Sequence, residues 1–146
     1  MKQAWYRDKL IPALTLATLA ALPLAAWSAD LDLEVDNVKG AGGDLRVAVY
    51  PSAGDYRKTP VKEIKAAADG SPVAIRISGL APGDYAIALY HDRNRNQKLD
   101  TNLLGIPTEP YGFSGSARNL VGPATWEQAK FSVAAEGAAI TVTLSD

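Results

Sequence analysis

The chain has no cysteine and a single histidine. Without cysteine there is no disulfide, no thiolate metal site, no thiol nucleophile and no cysteine-anchored lipid. One histidine, His91, excludes a histidine-based metal cluster and confines any Ser-His catalytic arrangement to that residue, and no Gly-x-Ser-x-Gly elbow accompanies it. A histidine closing an apolar strand more commonly supports the next loop by hydrogen bonding. An excess of positive charge is also missing, since 15 Lys and Arg stand against 16 Asp and Glu. No segment has the basic patch that nucleic acid requires, or the polybasic run that binds a membrane surface. The longest apolar run, Leu10 to Ala26, is 17 residues and contains Pro12 and Pro23. A membrane-spanning helix needs roughly 20 residues and tolerates proline poorly in its interior.

That run follows Lys2, Arg7 and Lys9 and leads into Ala26-Trp27-Ser28. Cations, then a short apolar core, then small residues at the inspected positions make residues 1–28 a secretory signal peptide, cut before Ala29. An uncleaved anchor is the competing reading. Residues 29–146 form the expected mature chain of 118 residues, with 12 basic and 15 acidic side chains. That length suits one domain with a real core and is too short for two. The expected location is periplasmic or secreted, with no membrane span after cleavage.

The mature chain alternates in period two and carries turn signals at regular intervals. Leu31, Leu33 and Val35 alternate with acids, and Leu45, Val47 and Val49 repeat the pattern after a Gly-rich turn at Gly40 to Gly43. Val61 to Ala68 favours helix by composition, yet the Asp69-Gly70 hairpin signal and the clear strand Val73 to Ile77 behind it argue for a strand. Pro82-Gly83 predicts a type II turn before a strand with Tyr85, Ile87, Leu89 and His91 on one face and Ala86, Ala88 and Tyr90 on the other. Apolar on both faces, that strand is expected to be central and covered. A long irregular segment, Asn102 to Pro123, precedes a capping-box turn at Thr125 to Gln128, and strands follow at Ala129 to Val133 and Ala139 to Leu144. The expected fold is a single all-β domain, residues 29–146: a seven-stranded antiparallel β-sandwich of immunoglobulin-like or transthyretin-like type.

The chemistry concentrates in His91-Asp92-Arg93-Asn94-Arg95-Asn96-Gln97-Lys98-Leu99-Asp100. Ca²⁺ takes about six to eight oxygens, and a curling loop offers every second residue. Counted against the EF-hand template from Asp92, the candidate ligands are Asp92, Asn94, Asn96, the Lys98 carbonyl and Asp100. Arg93 and Arg95 then face away. Two positions depart from the template: Gln97 replaces the turn-forming Gly at the sixth, and Leu103 replaces the bidentate Glu at the twelfth. Completion requires Glu109 or Asn102 to fold back. The alternative is a polar hairpin tip whose Asp and Asn side chains cap backbone N–H groups.

Downstream, Gly105 to Gly115 combines prolines, glycines and two aromatics, as a ligand-contacting loop does; Glu109, Tyr111, Phe113 and, further on, Trp126 are the possible contacts. Packing of Tyr111 and Phe113 onto the open end of the sandwich, with Trp126 in the same cluster, is the favoured reading. The run LAPGDYAIALYHDRNRNQKLDTNLLGIPTEPYGFS, followed by GPATWEQAKF, resembles an exported bacterial family, domain of unknown function 2141. The resemblance rests on the HDxNxNxxLDxN loop, the GIPxExYGFS segment and the downstream aromatic turn. It implies no activity. The Leu-x-Pro-Gly-x-Tyr turn is also similar to those of transthyretin-like and carboxypeptidase-regulatory-like sandwiches, which bears on fold alone. The functional expectation is a non-enzymatic binding or interaction module stabilised by a Ca²⁺ loop, with an unknown protein or carbohydrate partner and no nucleic acid. A carbohydrate-binding sandwich and a metal-dependent hydrolase are the alternatives.

Overall fold

A computed structural model describes residues 28–40, 42–115 and 122–145. The expected signal peptide, apart from Ser28, lies outside the described residues. Two sheets pack face to face. The strands are β1 (Ala29–Asp36), β2 (Asp44–Tyr50), β3 (Lys62–Ala67), β4 (Val73–Leu80), β5 (Gly83–Asp92), β6 (Tyr111–Phe113), β7 (Phe131–Val133) and β8 (Ala138–Thr143), with one helical turn, α1 (Trp126–Ala129), before β7. The smaller sheet has the order β4-β1-β8; the larger runs β3-β2-β5-β6, with β7 pairing β5 further along. The fold is therefore all-β and two-layered, as the alternation implied.

The core is where period two put it. Leu31, Leu33 and Val35 of β1 face Leu45, Val47 and Val49 of β2 and Ile87 and Leu89 of β5, all essentially excluded from solvent. Of the alternate residues of β1, Asp32 and Glu34 are exposed and Asp30 and Asp36 half-buried. Such burial is the main favourable term in a domain of this size that has no disulfide.

Four expectations need correction. The sandwich is not wholly antiparallel, because β8 pairs with β1 in parallel, Leu31 opposite Ala138 through Asp36 opposite Thr143; alternation specifies which face is buried but carries no strand direction. Asp69-Gly70 is not a hairpin turn. β3 pairs only with β2 and β4 with β1, so this connection crosses from one sheet to the other. The strand at Lys62–Ala67 exists because Ile64 and Ala66 pack onto the core from the sheet edge. Gly83 has φ 158°, far from the roughly 80° of a type II turn, and begins β5 itself. Finally, β6 forms within the segment expected to be irregular, so the described residues hold eight strands where seven were expected. Its Gly112 admits no side chain, since a Cβ there would lie 2.8 Å from Val142 Cγ1 and 3.0 Å from the Thr143 carbonyl. Tyr111 also exchanges backbone hydrogen bonds with Ser145, at 3.1 and 2.8 Å, tying the larger sheet to the end of the smaller.

The capping box is present: Gln128 Oε1 accepts the Thr125 backbone N–H at 2.9 Å. Among the described residues no helix is long and apolar enough to cross a membrane. Replacing Ile87, 0% exposed, by Ala is expected to cost about 2–5 kcal/mol. Arg76→Ala, which removes exposed ion pairs with Asp30 and Asp32, should cost less than about 1 kcal/mol. Denaturant unfolding of the two variants checks the assignment of faces.

Candidate ion loop and the adjoining groove

β5 is hydrogen-bonded to β2 along its length and to β6 near its end, so the residues that leave it start from a fixed point. His91 and Asp92 are its last two, on opposite faces. His91 turns inward, and its Nε2–H donates to the Gly42 carbonyl at 2.7 Å. Gly43 sits so close that a Cβ would lie 2.6 Å from the Asp92 carbonyl. The histidine thus supports the loop base, as its position suggested. Asp92 turns to the outer face, fully buried beneath its own loop, with Arg46 Nε 3.4 Å from Oδ2.

Beyond Asp92 the chain curls so that its side-chain oxygens meet its own backbone. Asp92 Oδ1 accepts the Asn96 N–H at 3.0 Å and Oδ2 the Gln97 N–H at 2.9 Å. Asn94 Oδ1 accepts the Asn96 N–H at 3.0 Å, and Asn96 Oδ1 accepts the Lys98 N–H at 2.9 Å. These are Asx turns repeated at every second residue. The amides of Asn94 and Asn96 both donate to Asp100, at 2.7 and 2.8 Å. Asn94, Asn96 and Asp100 are therefore drawn into one ring over the buried Asp92, and Asn94 and Asn96 are exposed, as are Arg93, Arg95 and Lys98. Gln97, at the place where the template has glycine, adopts the left-handed conformation glycine favours, φ 67°. Leu103, at the twelfth place, points fully into solvent.

Glu109 folds back onto this ring. Its Oε1 accepts the Arg93 N–H at 2.9 Å and its Oε2 the Asp100 N–H at 3.1 Å, so one buried carboxylate holds both ends of the loop. Among the described residues no three His, Cys, Asp or Glu side chains converge as a metal-binding group. The loop carries two carboxylates and two carboxamide oxygens, the ligand type hard cations prefer, with the carboxamide N–H groups turned to Asp100.

The remaining expected contacts divide. Tyr111 and Phe113 pack edge to face, centroids 5.9 Å apart, on β6. Trp126 instead meets Tyr56 at 6.0 Å, and Tyr56 meets Tyr50 at 5.5 Å. Phe113 and Trp126 share only the small cluster of Ala86, Ala124 and Ala129. Ser114 of the Gly-Phe-Ser motif is wholly buried; its Oγ accepts the Ile87 N–H at 2.7 Å and donates to the Ala129 carbonyl. That serine is a structural link.

Sequence reading missed what lies on the outer face of the larger sheet. β5 is covered along its inner face, and on the other face only at Ala86 and Asp92. There, Ala48 and Ala88 form the floor of an open groove of about 990 Å³, walled by Tyr50, Tyr90, Tyr111 and Phe113 and bounded by the chain from Leu99 to Pro107. Small residues beside tyrosines at alternate positions of β2 and β5 were the available signal. Burial, then the nearby Asp92 charge, raises the Tyr90 hydroxyl above its ordinary pKa of 10.0. Burial likewise pushes Tyr56 up to about 12.

The family described as "Uncharacterized protein conserved in bacteria (DUF2141)" matches residues 33–141. This chain belongs to that family. No curated protein and no solved structure matches it. The family match spans the sandwich, the ring and Glu109 together, so loop and clamp lie within one family unit.

Glu109→Ala leaves the Arg93 and Asp100 N–H groups without their acceptor. The expected cost is about 1–3 kcal/mol, against a few tenths for the exposed Lys98→Ala. Chemical denaturation of both variants measures the difference.

Proposed function

We propose that the protein is a non-catalytic binding module of the bacterial cell envelope, exported by the leader at residues 1–28, with its ligand in the outer-face groove and Ca²⁺ in the Asp92–Asp100 ring. The observation that carries the reading is the ring itself. Asn94 and Asn96 close on Asp100 above Asp92, which accepts the Asn96 and Gln97 N–H groups, and Gln97 takes the conformation that the template reserves for glycine. Asp92, Asn94, Asn96, the Lys98 carbonyl and Asp100 are the proposed ligands. With only two carboxylates, affinity falls in the range of extracellular modules, a Kd of about 10⁻⁴–10⁻³ M.

A binding role is supported by the groove, whose size suits a small ligand or a length of chain. The acids that a hydrolase would use argue the same way. Neither Asp92 nor Glu109 lines the groove, where Glu63 stands among Arg46, Arg57 and Lys65. Carbohydrate is the second reading, favoured by the four aromatic walls. Within the sandwich class the transthyretin-like assignment is preferred. In the immunoglobulin order the first strand lies beside the second, whereas here β1 pairs with β4 and β8.

In this reading about 10 mM calcium stabilises the domain by roughly 1.5–3 kcal/mol and raises Tm by several degrees. Magnesium does less, because it demands tight octahedral geometry. Asp100→Ala abolishes the response and Arg93→Ala keeps it; a wild-type Tm indifferent to calcium contradicts the ion assignment. For the groove, Ala88→Trp fills the floor without entering the core. It should abolish binding of cell-wall glycans or co-purifying ligand, read by calorimetry and native mass spectrometry, at unchanged Tm. Binding that survives in Ala88→Trp places the ligand elsewhere.

A further inference from the structure

Immediately after the ring the chain forms a second, tighter hairpin. Thr101 bridges Pro107, the Asn102 N–H donates to the Ile106 carbonyl at 2.9 Å, and the Thr108 N–H to the Asp100 carbonyl at 2.8 Å. Asn102 Oδ1 accepts the N–H groups of Leu104 and Ile106, at 2.9 and 3.1 Å, so the tip is held from inside. Gly105, at φ 76°, completes the turn. What this framework presents is apolar. Leu103 is 105% exposed, Leu104 83% and Ile106 55%, three of the four large exposed hydrophobic side chains among the described residues.

The charges behind the tip are sorted by sign. On this end of the sandwich Asp44, Asp92 and Glu109 are buried, and Asp100 is half-buried and accepts the amides of Asn94 and Asn96. Arg93, Arg95 and Lys98 are exposed, Arg95 lying 3.8 Å from Asp44. Leucines beside exposed cations, with Asp44, Asp92 and Glu109 turned inward and Asp69 the exposed acid at this end, match a bilayer interface: acyl chains receive the apolar tip and anionic headgroups meet the cations. This device differs from the polybasic run that the sequence lacks. It needs three cations and a preformed tip.

We propose that the Leu103-Leu104-Gly105-Ile106 tip inserts into the interface of anionic lipid bilayers and docks the domain on a membrane surface. The proposal does not rest on the ion, and although Gly105 and Ile106 also border the groove, Leu103 and Leu104 do not. The missing cysteine makes the test clean, because Leu104→Cys creates a unique thiol for an environment-sensitive fluorophore, with Glu136→Cys, in the exposed turn between β7 and β8, as the control site. On vesicles of phosphatidylglycerol the label at 104 should brighten and shift to the blue, and the label at 136 should not. Phosphatidylcholine vesicles should give a weaker response. Adding Leu103→Asp to the Leu104→Cys protein should weaken vesicle affinity by about tenfold or more, the scale of one leucine side chain withdrawn from an apolar phase. Circular dichroism checks that each labelled protein is folded. No change at 104 on anionic vesicles, which would leave a protein pocket as the occupant, overturns the proposal. So does an equal change at 104 and 136, or a response that Leu103→Asp leaves intact.

Discussion

Two buried carboxylates hold the functional end of this molecule by accepting backbone N–H groups. A loop leaving a sheet must find partners for its main-chain donors, and from Arg93 to Asp100 there is no ladder to supply them. Asp92 takes the N–H groups of Asn96 and Gln97, and Glu109 those of Arg93 and Asp100. The two acids act from opposite sides, one within the loop and one from the returning chain. Hydrogen bonds to ionised acceptors are stronger than those between neutral groups, and an orphaned buried donor is costly. The arrangement therefore fixes the ring, the start of the apolar hairpin and one boundary of the groove together.

The sandwich supplies the platform for these bonds. β5 lies between β2 and β6, so its last residues are anchored on both sides. The alternation of a strand sends His91 inward to the Gly42 carbonyl and Asp92 outward under the loop. On the outer face the same alternation lines up Ala88 and Tyr90 beside Ala48 and Tyr50, leaving a trough with polar-tipped aromatic walls. Fold and site are thus joined through one strand.

Much of this is legible in the residues. Alternation located the core of β1, β2 and β5, and the spacing of Asp92, Asn94, Asn96 and Asp100 singled out the loop before any coordinates. The loop pattern leaves Glu109 and Asn102 as alternatives for a residue that folds back, and the hold of Glu109 on both ends of the loop depends on the return path of the chain, which local pattern does not specify. Pairing was least legible. Asp69-Gly70 has hairpin chemistry, yet β3 and β4 belong to different sheets, and the parallel pairing of β1 with β8 is set by tertiary packing. The groove escaped notice because an outer face rich in Ala and Tyr reads the same as a covered one when only hydrophobicity is weighed.

The most direct measurement of the central claim is amide hydrogen exchange of the wild-type protein in the presence of a chelator, resolved residue by residue. If Asp92 and Glu109 preorganise the loop, the amides of Arg93, Asn96, Gln97 and Asp100 exchange slowly without any ion, while the exposed Arg95 amide exchanges fast. Rapid exchange at all five positions would contradict the account, since the carboxylates would then not be holding the loop.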